Sequence, residues 1–159
     1  MPPPPAQRIE WESKMRVSKF LIVSATALTV GFGFTPAFAG GSKVFIEQYG
    51  WDNQVGSAQK GYKNRLTIYQ NGLGNRSINS QLGAKNKAVI GQQGNGNFAD
   101  TYQRGRHNIV GVAQFGKGHT AITTQDGHGN AIGVIQAGRN NSANVTQVGA
   151  GNVSVVIQD

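Results

Sequence analysis

The chain has 159 residues, 23 of them glycine, no cysteine and a formal charge of +8. No disulfide can staple it, and glycine at this density is costly inside an ordinary core, because each glycine loses much backbone freedom on folding. With 38% hydrophobic and 8% aromatic residues, stability has to come from backbone pairing, side-chain ladders or assembly.

Residues 1–14 (MPPPPAQRIEWESK) fit neither a leader nor the pattern downstream. They are expected to precede the true start at Met15, or to be an extension of the leader: the codons of Trp11-Glu12 form a purine-rich run resembling a ribosome-binding site. N-terminal sequencing that began at Met1 would reject this. Residues 15–39 read as a secretory signal peptide, with Arg16 and Lys19, an apolar run from Phe20 to Phe34, and Ala37-Phe38-Ala39 as the cleavage site. The run is short of the roughly 20 residues that span a bilayer. Cleavage after Ala39 is expected, giving a secreted, extracellular mature chain with no membrane span. Residues 40–159 then hold eleven Lys/Arg against five acids, a net charge of +6.

A strict period governs residues 40–159. Glutamine recurs every eleven residues, at Gln48, Gln59, Gln70, Gln81, Gln92, Gln103, Gln114, Gln125, Gln136, Gln147 and Gln158. Two residues after each of the first ten sits a glycine, from Gly50 to Gly149, expected to supply a positive φ or room for close-packed coils. Five residues after sits an asparagine, at Asn53, Asn64, Asn75, Asn86, Asn97, Asn108, Asn130, Asn141 and Asn152, with His119 as the exception. Such a period marks a repeat array in place of a globule with one core.

One unit shows the local structure. In Asn64-Arg-Leu-Thr-Ile-Tyr-Gln70, alternate residues Asn64, Leu66, Ile68 and Gln70 share one side, the period of a strand. Asn71-Gly72-Leu73-Gly74 is turn material. Each unit is thus expected to be a seven-residue strand and a four-residue turn. A turn of that length and regularity disfavours two-residue hairpins and favours a solenoid that stacks like positions in parallel. The inward residues alternate between bulky pairs, such as Leu66/Ile68 and Ile132/Val134, and small or polar pairs, such as Ser77/Asn79 and Ala121/Thr123. The unit is therefore a 22-residue coil of two strands. Counting Ser42–Gln48, eleven strands form about five and a half coils of an all-β parallel β-solenoid with two facing sheets.

Parallel strands lie about 4.7–4.9 Å apart, so stacked glutamines can donate and accept along a column. The asparagines are expected to do likewise and to cap the turn backbone, with His119 breaking one column locally. The array runs to Gln158, with Gly40-Gly41 before the first strand and no capping helix. Both ends are expected to expose unpaired backbone and open ladders that template another copy.

Basic residues gather at one edge of the early coils: Lys60, Lys63, Lys85, Arg104, Arg106 and His107, with Arg65, Arg76 and Lys87 on adjoining faces. Such an edge could bind extracellular DNA or anionic polysaccharide, or could simply keep fibres dispersed. Outer aromatics, among them Tyr49, Trp51, Tyr69 and Phe115, suit lateral contacts or plain cover for the sheet. His107, His119 and His128 pair with no regularly spaced acids, so no catalytic, cofactor or metal site is expected and the chain does not read as an enzyme.

The repeat resembles the curlin repeat, in which Ser-x5-Gln-x-Gly-x-x-Asn runs on to the next Gln. Ser42–Gln59, Gln136–Gln147 with Asn141-Ser142-Ala143, and Asn144–Gly149 carry the resemblance, which extends over residues 42–158. It implies a secreted subunit of extracellular curli-type amyloid fibres, with roles in adhesion, cell aggregation and biofilm matrix. It also implies self-assembly, a second curlin subunit and outer-membrane secretion machinery as partners, and ladder roles for the Gln and Asn positions. A major, fibre-forming subunit is the first expectation. A minor nucleator, or a soluble basic solenoid, is the alternative.

Overall fold

The computed structural model describes residues 40–159. The expected early start and signal peptide lie outside the described residues. Eleven strands follow in order: β1 (Lys43–Trp51), β2 (Gln54–Tyr62), β3 (Arg65–Leu73), β4 (Arg76–Ala84), β5 (Lys87–Asn95), β6 (Phe98–Arg106), β7 (Ile109–Lys117), β8 (Thr120–His128), β9 (Ala131–Arg139), β10 (Ser142–Ala150) and β11 (Val153–Gln158). Odd strands form a six-stranded sheet and even strands a five-stranded one. Neighbours in each sheet pair in parallel with a register of one coil, so Gln70 stands beside Gln92 and Gln81 beside Gln103. The chain is an all-β parallel β-solenoid of 22-residue coils, with no helix among the described residues.

The strands are longer than the side-chain alternation suggests. Ten of them have nine residues, and only two residues separate each from the next. The stretch Asn71-Gly72-Leu73 belongs to β3. The chain does bend there, with Gly72 at φ +128. An identical bend lies one coil above, so the two bends pair in register and the ladder runs through the corner.

Between the sheets lies a narrow core. Leu66, Ile68, Ala88, Ile90, Val110, Val112, Ile132 and Val134 come from the six-stranded sheet, and Ala99, Ala121 and Ala143 from the other. Large side chains on one wall thus face small ones on the opposite wall. Nineteen buried polar residues outnumber these eleven hydrophobic ones, so the interior is stable only where its amides find partners.

Candidate functional site: amide ladders and a basic edge

The glutamines form two continuous columns. In the six-stranded sheet each Nε2 donates to the Oε1 one coil onward: Gln48 to Gln70 at 2.6 Å, Gln70 to Gln92 at 2.7 Å, Gln92 to Gln114 and Gln114 to Gln136 at 2.9 Å, and Gln136 to Gln158 at 2.8 Å. In the five-stranded sheet the column runs from Gln59 through Gln81, Gln103 and Gln125 to Gln147, with bonds of 2.5–3.0 Å. From Gln70 onward the amide N–H groups also reach across to the other sheet, as Gln92 does to the carbonyl of Arg76 at 3.0 Å. One side chain therefore ties coil to coil and sheet to sheet. All donors point the same way along the solenoid, so each column has an acceptor end and a donor end.

Asparagines fix the corners. The backbone N–H of Asn108 donates to Asn86 Oδ1 at 3.1 Å, and Asn86 Nδ2 donates to the carbonyl of Gly105 at 3.0 Å. The same pair of contacts holds Asn53, Asn64, Asn75 and Asn97. Asn130 repeats it with Asn152 and Gly149. Asn141 donates to the carbonyl of Ala137 at 2.6 Å. Ser42 begins one column, its Oγ accepting from the N–H of Asn64 at 3.1 Å. The signal for that role was a serine at the asparagine spacing.

His119 does not break its column. Its N–H donates to Asn97 Oδ1 and its Nδ1 accepts from Asn141 at 3.2 Å. The ring is fully buried and continues the ladder, because one ring nitrogen of an imidazole can accept while the other donates, as the oxygen and nitrogen of an amide do.

The glycines two residues after each glutamine, from Gly50 to Gly127, need both of the properties considered for them; Gly138 and Gly149 need only the positive φ. Gly94 has φ +117, and a Cβ there would stand 2.0 Å from the carbonyl oxygen of Gly116. Only hydrogen lets the corners approach so closely.

Lys60, Lys63, Lys85, Arg104, Arg106 and His107 lie on the edge where the chain passes from the five-stranded to the six-stranded sheet, and Arg65 and Lys87 open the following strands. Arg76 falls on the opposite edge, because β4 follows the other kind of corner; its guanidinium lies 5.7 Å from the ring centre of Phe98. Arg104 and Asp126 approach to 3.8 Å but are exposed, so their pairing contributes under about 1 kcal/mol. Among the described residues no three His, Cys, Asp or Glu cluster as a metal site, and no helix is long and apolar enough to cross a membrane.

Register, columns and corners together define a two-sheet parallel β-solenoid repeat protein, a structural class. The family model of the curlin associated repeat matches residues 94–127 and 120–149. Residues 94–149 thus match curlin-associated repeats, consistent with a curlin-type subunit. No curated protein matches the chain. Outside the matched stretch, β1 to β4 carry the same columns in the same register.

Proposed function

We propose that the chain is a secreted structural subunit of extracellular curli-type amyloid fibres, adding copies end to end and serving adhesion, cell aggregation and biofilm matrix. The polarity of the glutamine columns carries this reading. A column with an acceptor at one end and a donor at the other is complementary to a second copy placed head to tail. The unpaired sides of β1 and β2, and of β11 and β10, border the two sheets of the described solenoid and supply matching backbone groups. In this reading the Gln and Asn columns are the assembly ladder. Its partners are the chain itself, a second curlin subunit and an outer-membrane export pore.

The purified chain should form fibres that bind amyloid dyes and diffract at about 4.7–4.8 Å along the axis. A chain that stayed monomeric for days at micromolar concentration would sink the proposal. Seeding separates the two roles in the fibre: a major subunit supplies the mass of the fibre, whereas a nucleator accelerates another chain at low ratio. Genes for a second repeat protein and an export pore beside this one would support the partners.

A further inference from the structure

We propose that the basic edge is a built binding groove for a linear anionic polysaccharide. The inference holds for a single chain and does not depend on fibre formation. Three observations carry it.

The first is the groove. Lys43, Lys63, Arg65, Lys85 and Lys87 line an open groove of about 510 Å³ together with Gly41, Asn64 and Asn86, with no carboxylate among the lining residues. Lys43, Arg65 and Lys87 are register partners on successive strands, about 4.8 Å apart along the axis. Like charges stacked at that spacing oppose folding, so the fold alone gives no reason for them.

The second is backbone strain. The residue before each asparagine, and before Ser42 and His119 at the equivalent corners, takes a left-handed conformation. Glycine fills this position six times, at Gly41, Gly74, Gly96, Gly118, Gly129 and Gly151. Asp52, His107 and Asn140 are of the types that tolerate it best. Lys63 and Lys85, at φ +53 and +56, are not. Strain kept where glycine would serve points to a role for the side chain. The stem of Lys63 runs close over Gly41, and its Nζ lies 4.8 Å from the ring centre of Tyr62. The ammonium is therefore held in place.

The third is what the groove lacks. Sites for single-stranded nucleic acid add an aromatic platform for successive bases. Here the coils after Tyr62 place Ala84 and Arg106 at its register position. A polymer with regularly spaced carboxylates or sulfates and no bases matches the stacked cations, and each ion contact releases counterions.

The test is titration of the full chain into a fluorescent polygalacturonate oligomer, one carboxylate per sugar, followed by anisotropy. The double variant K63G/K85G puts glycine where six other corners already have it. It should lose about tenfold or more in affinity, with a shallower salt dependence, while its denaturation midpoint holds or rises. The double variant K117Q/R139Q removes the same charge from the opposite edge and should change affinity less than about twofold. Undiminished binding by K63G/K85G overturns the proposal. So does an equal loss in K117Q/R139Q, which would make net charge the cause. Tighter binding of a single-stranded oligodeoxynucleotide, lost in K63G/K85G, overturns the polysaccharide assignment.

Discussion

His119 accepts the backbone N–H of Asn141 on Nδ1 at 3.2 Å, and its Nε2 meets the carbonyl of Phe115 at 3.1 Å. The two contacts assign the neutral tautomer with the proton on Nε2. Asparagine at other coils makes the same two bonds and a third, to a glycine carbonyl one coil up, as Asn97 does to Gly116 at 3.2 Å. His119→Asn should therefore leave stability unchanged or raise it by up to about 1 kcal/mol. His119→Ala leaves the N–H of Asn141 and the carbonyl of Phe115 without partners and should cost roughly 2–3 kcal/mol. Urea midpoints of the three chains decide the matter. An alanine variant as stable as the parent would show that the column carries no stability at this coil.

Two glycines two residues apart should respond differently to alanine. At Gly94 a Cβ would meet the backbone of Gly116 at 2.0 Å, and neither strand can move without breaking its ladder. Gly94→Ala should prevent stacking of β5 on β7, a loss of several kcal/mol. At Gly96 a Cβ meets nothing within 4 Å, and only φ +64 opposes it. Gly96→Ala should cost about 1 kcal/mol. Similar losses at both sites, read by thermal or urea unfolding, would refute the close-approach argument.

The period of the glutamines and the alternation of Leu66/Ile68 with Ser77/Asn79 made the coil, its parallel register and its two sheets readable in the sequence. Strand length was not readable from side chains, because Asn71-Gly72-Leu73 has turn composition. It stays paired only because the neighbouring coils bend identically. The position of Arg76 was misread for a related reason. The two kinds of corner have similar composition, and which edge a residue occupies depends on which sheet its strand joins. His119 looked foreign among asparagines until its two ring nitrogens were placed against Asn141 and Phe115. The strain at Lys63 and Lys85 was hidden as well, since a φ value has no letter in the sequence.

The small-residue wall contains an imperfection that can be repaired. Thr123 is 1% exposed, and its Oγ1 has no hydrogen-bond partner. A buried hydroxyl without a partner costs on the order of 1–3 kcal/mol, and valine keeps its shape. Thr123→Val should raise the urea midpoint, by about 1 kcal/mol in stability. Thr101 is also buried, but its Oγ1 accepts from Asn79 Nδ2. Thr101→Val should therefore destabilise. The opposite signs at two threonines in one column separate hydroxyl satisfaction from general apolar gain.

The columns also predict that position along the solenoid sets the cost of losing a glutamine. Gln92 is fully enclosed: it accepts from Gln70 and donates toward Gln114, the Arg76 carbonyl and the Asn97 carbonyl. Leucine there leaves one donor and several acceptors unsatisfied, at a cost of roughly 3–5 kcal/mol. Gln48 is exposed and its amide donates to a single glutamine, Gln70. Gln48→Leu should cost about 1 kcal/mol in unfolding. If copies join head to tail through these columns, however, Gln48 Oε1 is the acceptor that the next subunit's donor needs. Gln48→Leu should then slow fibre elongation severalfold, in seeded growth followed by dye fluorescence, while barely moving the unfolding midpoint. Equal elongation rates for the parent and Gln48→Leu would separate the ladder from assembly, and leave the columns as a device for holding one chain together.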